Sequence, residues 1–370
     1  MRMRQKWVDI AKGMAIIAVV MGHIGYAWPQ IPFLPLNVLL VWLWHVPVFF
    51  MLGGFFLSDD KLVHIVPFVK RKIKTLYLPL LYVYVPVLLL HNVFIRVGFY
   101  DTSVSYSGKF VEWWEPTDFL THGVKSILLV GQEPLLGAMW FVFVLLWALC
   151  LLAALSWLLK KICGKCDQRT FELVRCLAIL SLAVLSWSLT TFFGFTKLFL
   201  NVTLVALWLI YVGMILMRRV GLQFNNGIMT LICILIAWHA ANSVGGVNLV
   251  VNQFHDVMTL TLSSCSCLYV VCYLAKMIER HCAVLTSLLS AIGRDSFYIM
   301  GIHFVGFKIG TLVLNSFGGR VPLAELVPPV GESAVLFLYY LMFGVGLPVL
   351  ALIILRQLKG VTGKIRENNP

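Results

Sequence analysis

Charge is what this chain has least of. Asp, Glu, Lys and Arg make up only 12% of its 370 residues, where a soluble domain uses about a quarter to face water. That scarcity excludes a water-exposed globular fold. Barrel-like alternation of apolar and polar residues is absent too, so the apolar segments read as helices and not as barrel strands. No nucleotide-binding glycine motif, internal repeat or low-complexity tract occurs, and the missing inverted repeat weighs against the common transporter architectures. Acidic residues number 16 against 29 basic ones, but the resulting +13 does not mark a nucleic-acid partner, because in a membrane chain the placement of charge matters more than its sum. The nine cysteines lie mostly in apolar runs or in segments expected to face a reducing cytosol, so no disulfide framework is expected. Cys163 and Cys166 form a lone CxxC without the two further ligands of a structural zinc site. With no HxxxH or HxxE spacing and no carboxylate near the histidines at bilayer depth, no metal is expected either.

What is present is apolar sequence, 60% of the chain, in runs of about 20 residues that each suffice to cross a bilayer as a helix. The expected fold is all-α and polytopic, a single membrane-embedded domain over 1–370. Ten spans are expected, at 10–28, 36–57, 76–95, 139–159, 173–193, 198–217, 228–244, 257–275, 296–314 and 334–355. The opening MRMRQKW imitates a signal peptide, but Asp9 and Lys12 interrupt it and Trp28-Pro29 stands where a small-residue cleavage site belongs, so it reads as a retained first span. Of the 29 basic residues, 23 fall at 1–9, 58–75, 160–172, 218–227, 276–295 and 356–370 or at the adjoining helix ends. The other six are Arg96, Lys109, Lys125, Lys197, Lys308 and Arg320. The positive-inside rule places the first group, and with it both termini, in the cytoplasm. The long outer segment 96–138 carries Trp113-Trp114-Glu115-Pro116 and a partly apolar stretch at 119–130, read either as an interfacial helix or as a loop on the headgroups.

Polar side chains at bilayer depth are costly unless they face a partner or a cavity. His23, His45, His239 and His303 qualify, on spans 1, 2, 7 and 9, at overlapping depths that allow one interior cavity. A single such histidine serves more often as glue between helices, donating to a backbone carbonyl; four at overlapping depths weaken that reading, and His23 and His45 gain support from the motifs around them, whereas His239 has none and is read as glue. Histidine is the usual general base for a hydroxyl.

The residues around two of these histidines resemble a known family. Asp9-Ile10-Ala11-Lys12-Gly13, continuing through Ile16 and Val19 to Gly22-His23, is similar to the first-helix signature of the acyltransferase-3 family of membrane proteins, with Lys12 at a position often held by arginine. Trp44-His45-Val46-Pro47-Val48-Phe49-Phe50 through Gly53-Gly54-Phe55 resembles the second-helix pattern F-H-x-P-x-F-F-x-x-S-G-[FY], with Gly53 where the pattern has serine. Lys70-Arg71-Lys72-Ile73-Lys74, with Leu76 and Pro79, resembles the basic entry to the third span. Met139-Trp140-Phe141 resembles the L-W-F start of the fourth. Ser296-Phe297-Tyr298-Ile299 through His303 resembles a late S-x-x-I-Y-x-x-H segment with tyrosine and isoleucine exchanged. The likeness runs from residue 9 to about 305.

The resemblance implies transfer of an acyl group, usually acetyl, from cytoplasmic acyl-CoA to a hydroxyl of a lipid-linked or cell-surface glycan, in a bacterial inner membrane. It implies His23 and His45 as catalytic residues, with His23 either a general base or transiently acylated. Lys12, Lys70, Arg71, Lys72 and Lys74 would meet the phosphates of acyl-CoA, unless they are only positive-inside anchors. Trp140 and His303 would line the substrate site. Acyl-CoA is then a co-substrate, with no permanently bound cofactor. Some members carry a fused extracytoplasmic hydrolase-like domain, for which ten spans leave no room here. The residues alone also admit a transporter or flippase with histidines as proton relay or solute site, and a scaffold whose histidines are glue.

Overall fold

The computed structural model describes residues 5–106, 109–129, 133–163, 166–197 and 199–367. Arg2, Arg4 and Lys165 of the basic count lie outside them, as do the side chains of Lys109, Lys359, Lys364 and Arg366. Helices dominate: α1 (Lys6–Gly22), α2 (His45–Gly54), α3 (Ile65–Leu89), α4 (Pro116–Ile127), α5 (Trp140–Ile162), α6 (Gln168–Phe193), α7 (Leu200–Arg218), α8 (Gly227–Ser243), α9 (Val257–His281), α10 (Ala283–Arg294), α11 (Ser296–Ser316) and α12 (Ala334–Leu358). Among the described residues seven helices are long and apolar enough to cross a membrane, namely α3, α5 with its lead-in from Pro134, α6, α7, α9, α11 and α12. The other three expected spans are shorter. α1 has 17 residues, as does α8, and the second expected span is the π turn Val38–Trp42 followed by α2, broken at Trp44.

The short helices change where the histidines sit. His23 lies at the C-cap of α1 and not within it, while His45 is the first residue of α2. The third helix starts eleven residues earlier than expected, at Ile65, so Lys70–Lys74 belong to a helix with a π turn at Ile73–Tyr77 and not to a loop. The segment 276–295, expected as a cytoplasmic connection, is largely helical and supplies α10, which packs along α1. The stretch after Trp114 forms α4, closed at its N-terminus by a capping box of Glu115 and Asp118, with Leu120, Val124 and Ile127 exposed along it. That is the pattern of an interfacial helix.

Lipid tails are as apolar as leucine, so helices in a membrane associate through close packing. Two reciprocal glycine contacts supply it. A Cβ on Gly13 would strike the Leu289 carbonyl and one on Gly293 the Asp9 carbonyl, joining α1 to α10; Gly54 and Gly213 relate α2 to α7 in the same way through the carbonyls of Ile210 and Met51. Since a backbone carbonyl cannot swing aside, Gly13→Leu is expected to cost about 1–3 kcal/mol through overpacking. Its thermal midpoint in detergent should fall, while Gly123→Ala, with open space around it, should not move; equal midpoints for both would remove the packing argument.

Ion pairs gather the segments expected on one side. At one end Asp59 pairs with the buried Arg175 at 2.7 Å and with Arg219 at 3.6 Å, Arg219 also pairs with Glu172, and Asp295 pairs with Arg356. At the other end a strand at Gly25–Tyr26 runs parallel to one at Pro329–Gly331, held by Gly25 N to Pro328 O (3.0 Å) and Ala27 N to Gly331 O (2.8 Å). This pairing starts two residues after His23 and fixes where the chain goes once α1 ends.

Candidate functional site at the C-terminal end of the first helix

Three histidines share one arrangement. His23 Nδ1 lies 2.9 Å from the Val19 carbonyl, His45 Nδ1 2.7 Å from that of Val41, and His303 Nδ1 3.0 Å from that of Ile299. A carbonyl only accepts, so each Nδ1 carries the hydrogen and each Nε2 is left with its lone pair. The i−4 spacing produces this directly, since a side chain on a helix leans back over the preceding turn. The result is a set of imidazoles held through Nδ1, which in the neutral ring is the tautomer that leaves Nε2 to act as a base.

Helix packing then brings two of them together. The rings of His23 and His303 are 5.1 Å apart, centre to centre, and Phe304 touches both at 5.0 and 4.3 Å. His303 is fully buried and His23 half-buried. Phe307 meets the His303 ring edge-on at 5.7 Å. His45, 5% exposed, reaches this corner through Trp42, whose indole stands edge-on to it at 5.5 Å and lies against Gly22. Trp42 and Phe304 had no signal in the sequence beyond an aromatic in an apolar run.

Other expected residues fall elsewhere. His239 is exposed on α8, with Ser243 as its polar neighbour, so it does not join the other three. The basic cluster divides, because successive residues on a helix turn through about 100°. Lys70, Arg71 and Lys74 are exposed, whereas Lys72 is half-buried over the Phe68 ring at 5.3 Å, within electrostatic reach of Lys12 and Cys150. Lys12 is half-buried as well. Trp140 has Phe141 and Phe199 as its ring partners, at 6.4 and 6.5 Å. Gly137, three residues before it, packs near Phe304, so the start of α5 lies beside the histidine corner.

A second polar cluster lies in the 91–133 region and was not foreseen. Both ring nitrogens of His91 have oxygen partners, Glu133 Oε1 2.9 Å from Nδ1 and the Glu112 carbonyl 3.0 Å from Nε2. Tyr100 donates to the same Glu133 oxygen at 2.7 Å; burial, and then the carboxylate beside it, push the Tyr100 hydroxyl well above its ordinary pKa. Trp114 is stacked between His91 at 3.6 Å and His122 at 4.1 Å. Every donor and acceptor of His91 is matched, so this cluster reads as a brace for the outer segment, leading through Glu133 into the turn before α5.

Among the described residues no group of three or more His, Cys, Asp or Glu could hold a metal ion. The model of the acyltransferase-3 family, described as an acyltransferase domain, matches residues 5–356. No curated protein and no solved structure matched the chain.

Proposed function

The chain belongs to the acyltransferase-3 family, and from that premise we propose that this membrane acyltransferase moves an acyl group, acetyl foremost, from cytoplasmic acyl-CoA to a hydroxyl of a cell-surface or lipid-linked glycan. The observation that carries the reading is the layout of α1. Lys12, within electrostatic reach of Lys72, lies near one end, and His23 caps the other. Eleven residues of helix separate Lys12 from His23, about 16 Å at ~1.5 Å per residue. That is a distance a pantetheine arm can span, with its phosphates on the cations and its thioester at the imidazole. Ammonium groups favour phosphate oxygens through charge-assisted hydrogen bonds.

The chemistry then falls to His23. Its Nε2 takes the proton of the acceptor hydroxyl as that oxygen bonds to the thioester carbon. The carbon–sulfur bond breaks, the thiolate recovers the proton from Nε2, and the products are an ester and free CoA. The same lone pair would serve if the acyl group passed through an acyl-imidazole. His45, held in the same tautomer behind Trp42, fits a role in ordering the corner.

The test is incorporation of radiolabelled acetyl-CoA by membranes carrying the full chain. Label in a base-labile ester of a glycan or lipid fraction supports the reading. Solute movement in liposomes without acyl-CoA, and no ester, would hand the case to a transporter. On the donor side, Lys72→Ala is expected to raise the KM for acetyl-CoA about tenfold, the loss of one charge-assisted contact. Lys74→Ala, which alters an exposed cation on the same helix, should leave that KM unchanged. An equal response from both would make the cluster an anchor only.

A further inference from the structure

His303 is the member of the histidine corner with an atom left over. Its Nδ1 faces the carbonyls of Ile299 (3.0 Å) and Met300 (3.1 Å) and must donate. Its Nε2 is therefore an acceptor; it is completely buried and has no hydrogen-bond partner. His23 is built alike, its Nδ1 committed to Val19. Two acceptors thus stand in one corner, on rings 5.1 Å apart, and the ring neighbours of His303 are His23, Phe304 and Phe307. A buried acceptor without a donor is costly, and native proteins keep few of them. A group of the acceptor entering this corner can supply that donor.

Whatever arrives has to bring two donors. A single hydroxyl has one hydrogen, and His23 takes it. The second must come from the group next to it. We propose that His303 is a positioning residue whose Nε2 accepts a hydrogen bond from a second hydroxyl of the acceptor, so that the site takes a vicinal diol in preference to an isolated hydroxyl. The inference rests on the acyl-transfer reading above. In the step itself the attacking hydroxyl gives its proton to His23 while its oxygen bonds to the thioester carbon and sulfur leaves, to be protonated in turn. The neighbouring hydroxyl keeps its proton and stays bonded to His303. It sets which oxygen attacks and holds it in line, the kind of orientation that converts binding into rate.

The experiment supplies membranes that lack the protein as acceptor, one portion oxidised with periodate to cleave vicinal diols and then quenched. Purified full chain in nanodiscs and radiolabelled acetyl-CoA are added to both portions. Oxidation is expected to cut incorporation at least about tenfold, in keeping with a site that rejects acceptors lacking a group it hydrogen-bonds. The labelled product from untreated membranes should carry its ester on a carbon whose neighbour bears a free hydroxyl. His303→Gln, which keeps an acceptor atom, should stay within about tenfold of wild type, and His303→Leu should fall about a hundredfold, mainly through the KM for acceptor. Undiminished incorporation after oxidation, or an ester on an isolated hydroxyl, would overturn the inference and leave a buried water as the partner of Nε2. Equal losses in both variants without a change in acceptor KM would reduce His303 to packing. If neither variant accumulates, the position of the ester in the wild-type product decides. Wild-type membranes that take up no label, or that yield an amide, would remove the transfer reading itself, which is a separate failure.

Discussion

His23→Ala is expected to insert and fold as the wild type does and to lose acyl transfer by a factor of about 10²–10⁴, the usual contribution of a positioned general base. The fold should tolerate it because His23 lies at the C-cap of α1, half-buried, and its ring hydrogen bond goes to a carbonyl within its own helix. The strand pairing that follows uses the backbone of Gly25 and Ala27, not the ring. The activity should not tolerate it, because in the proposed step the Nε2 lone pair takes the hydroxyl proton, and neither His303 nor His45 stands in the same relation to the C-terminal end of α1. The measurement is ester formation from radiolabelled acetyl-CoA in membranes adjusted to equal amounts of protein. Wild-type turnover by the variant would remove His23 from the mechanism and with it the role assigned to α1. His45→Ala supplies the contrast: with Trp42 between it and the corner, it is expected to lose about tenfold, a supporting effect.

How far the sequence reaches can be judged from four particular cases. The membrane class is legible because an apolar run of bilayer length has few other uses, and the same runs locate most helices to within a few residues. His23 and His303 are legible because a polar residue in such a run is expensive. His239 satisfies the same criterion and yet faces outward, since a helix that is apolar all round does not reveal which side meets protein. The cluster at 70–74 reads as one unit along the chain, but a helical rotation of about 100° per residue scatters it, and of its cations only Lys72 is half-buried. The partners that fix the tautomers are backbone carbonyls, and these carry no sequence signature. Trp42 acquires its meaning only where Gly22 lets it approach, and Gly13 where α10 folds back on α1, a contact between residues nearly 300 apart in the chain.

Lys308→Met should have the second large effect, and it concerns a residue that the sequence offered only as a stray outer cation. Lys308 is 1% exposed, and its ammonium donates to three successive carbonyls, those of Leu323 (2.6 Å), Ala324 (2.8 Å) and Glu325 (2.9 Å). An ammonium has three donors, so its capacity is filled by backbone. Tyr106 adds a hydrogen bond to the Ala324 carbonyl at 3.0 Å. Methionine keeps the volume and removes all three donors, stranding the Leu323 and Glu325 carbonyls while that of Ala324 keeps Tyr106, and lowering stability by about 2 kcal/mol at about 1 kcal/mol each. The consequence reaches the site along two routes. Lys308 stands five residues after His303 on α11, and the segment it clamps continues into Pro329–Gly331, which pairs with the chain leaving His23. Releasing the clamp should therefore loosen the amides of Gly25 and Ala27, whose acceptors are Pro328 and Gly331, while α1 itself stays protected. Hydrogen exchange reads this directly: faster exchange at those two amides, with acyl transfer reduced about tenfold or more, follows if geometry at the histidine corner depends on the outer strap. Unchanged exchange at Gly25 and Ala27 alongside a lower melting midpoint would confine Lys308 to local stability and detach the strap from the chemistry.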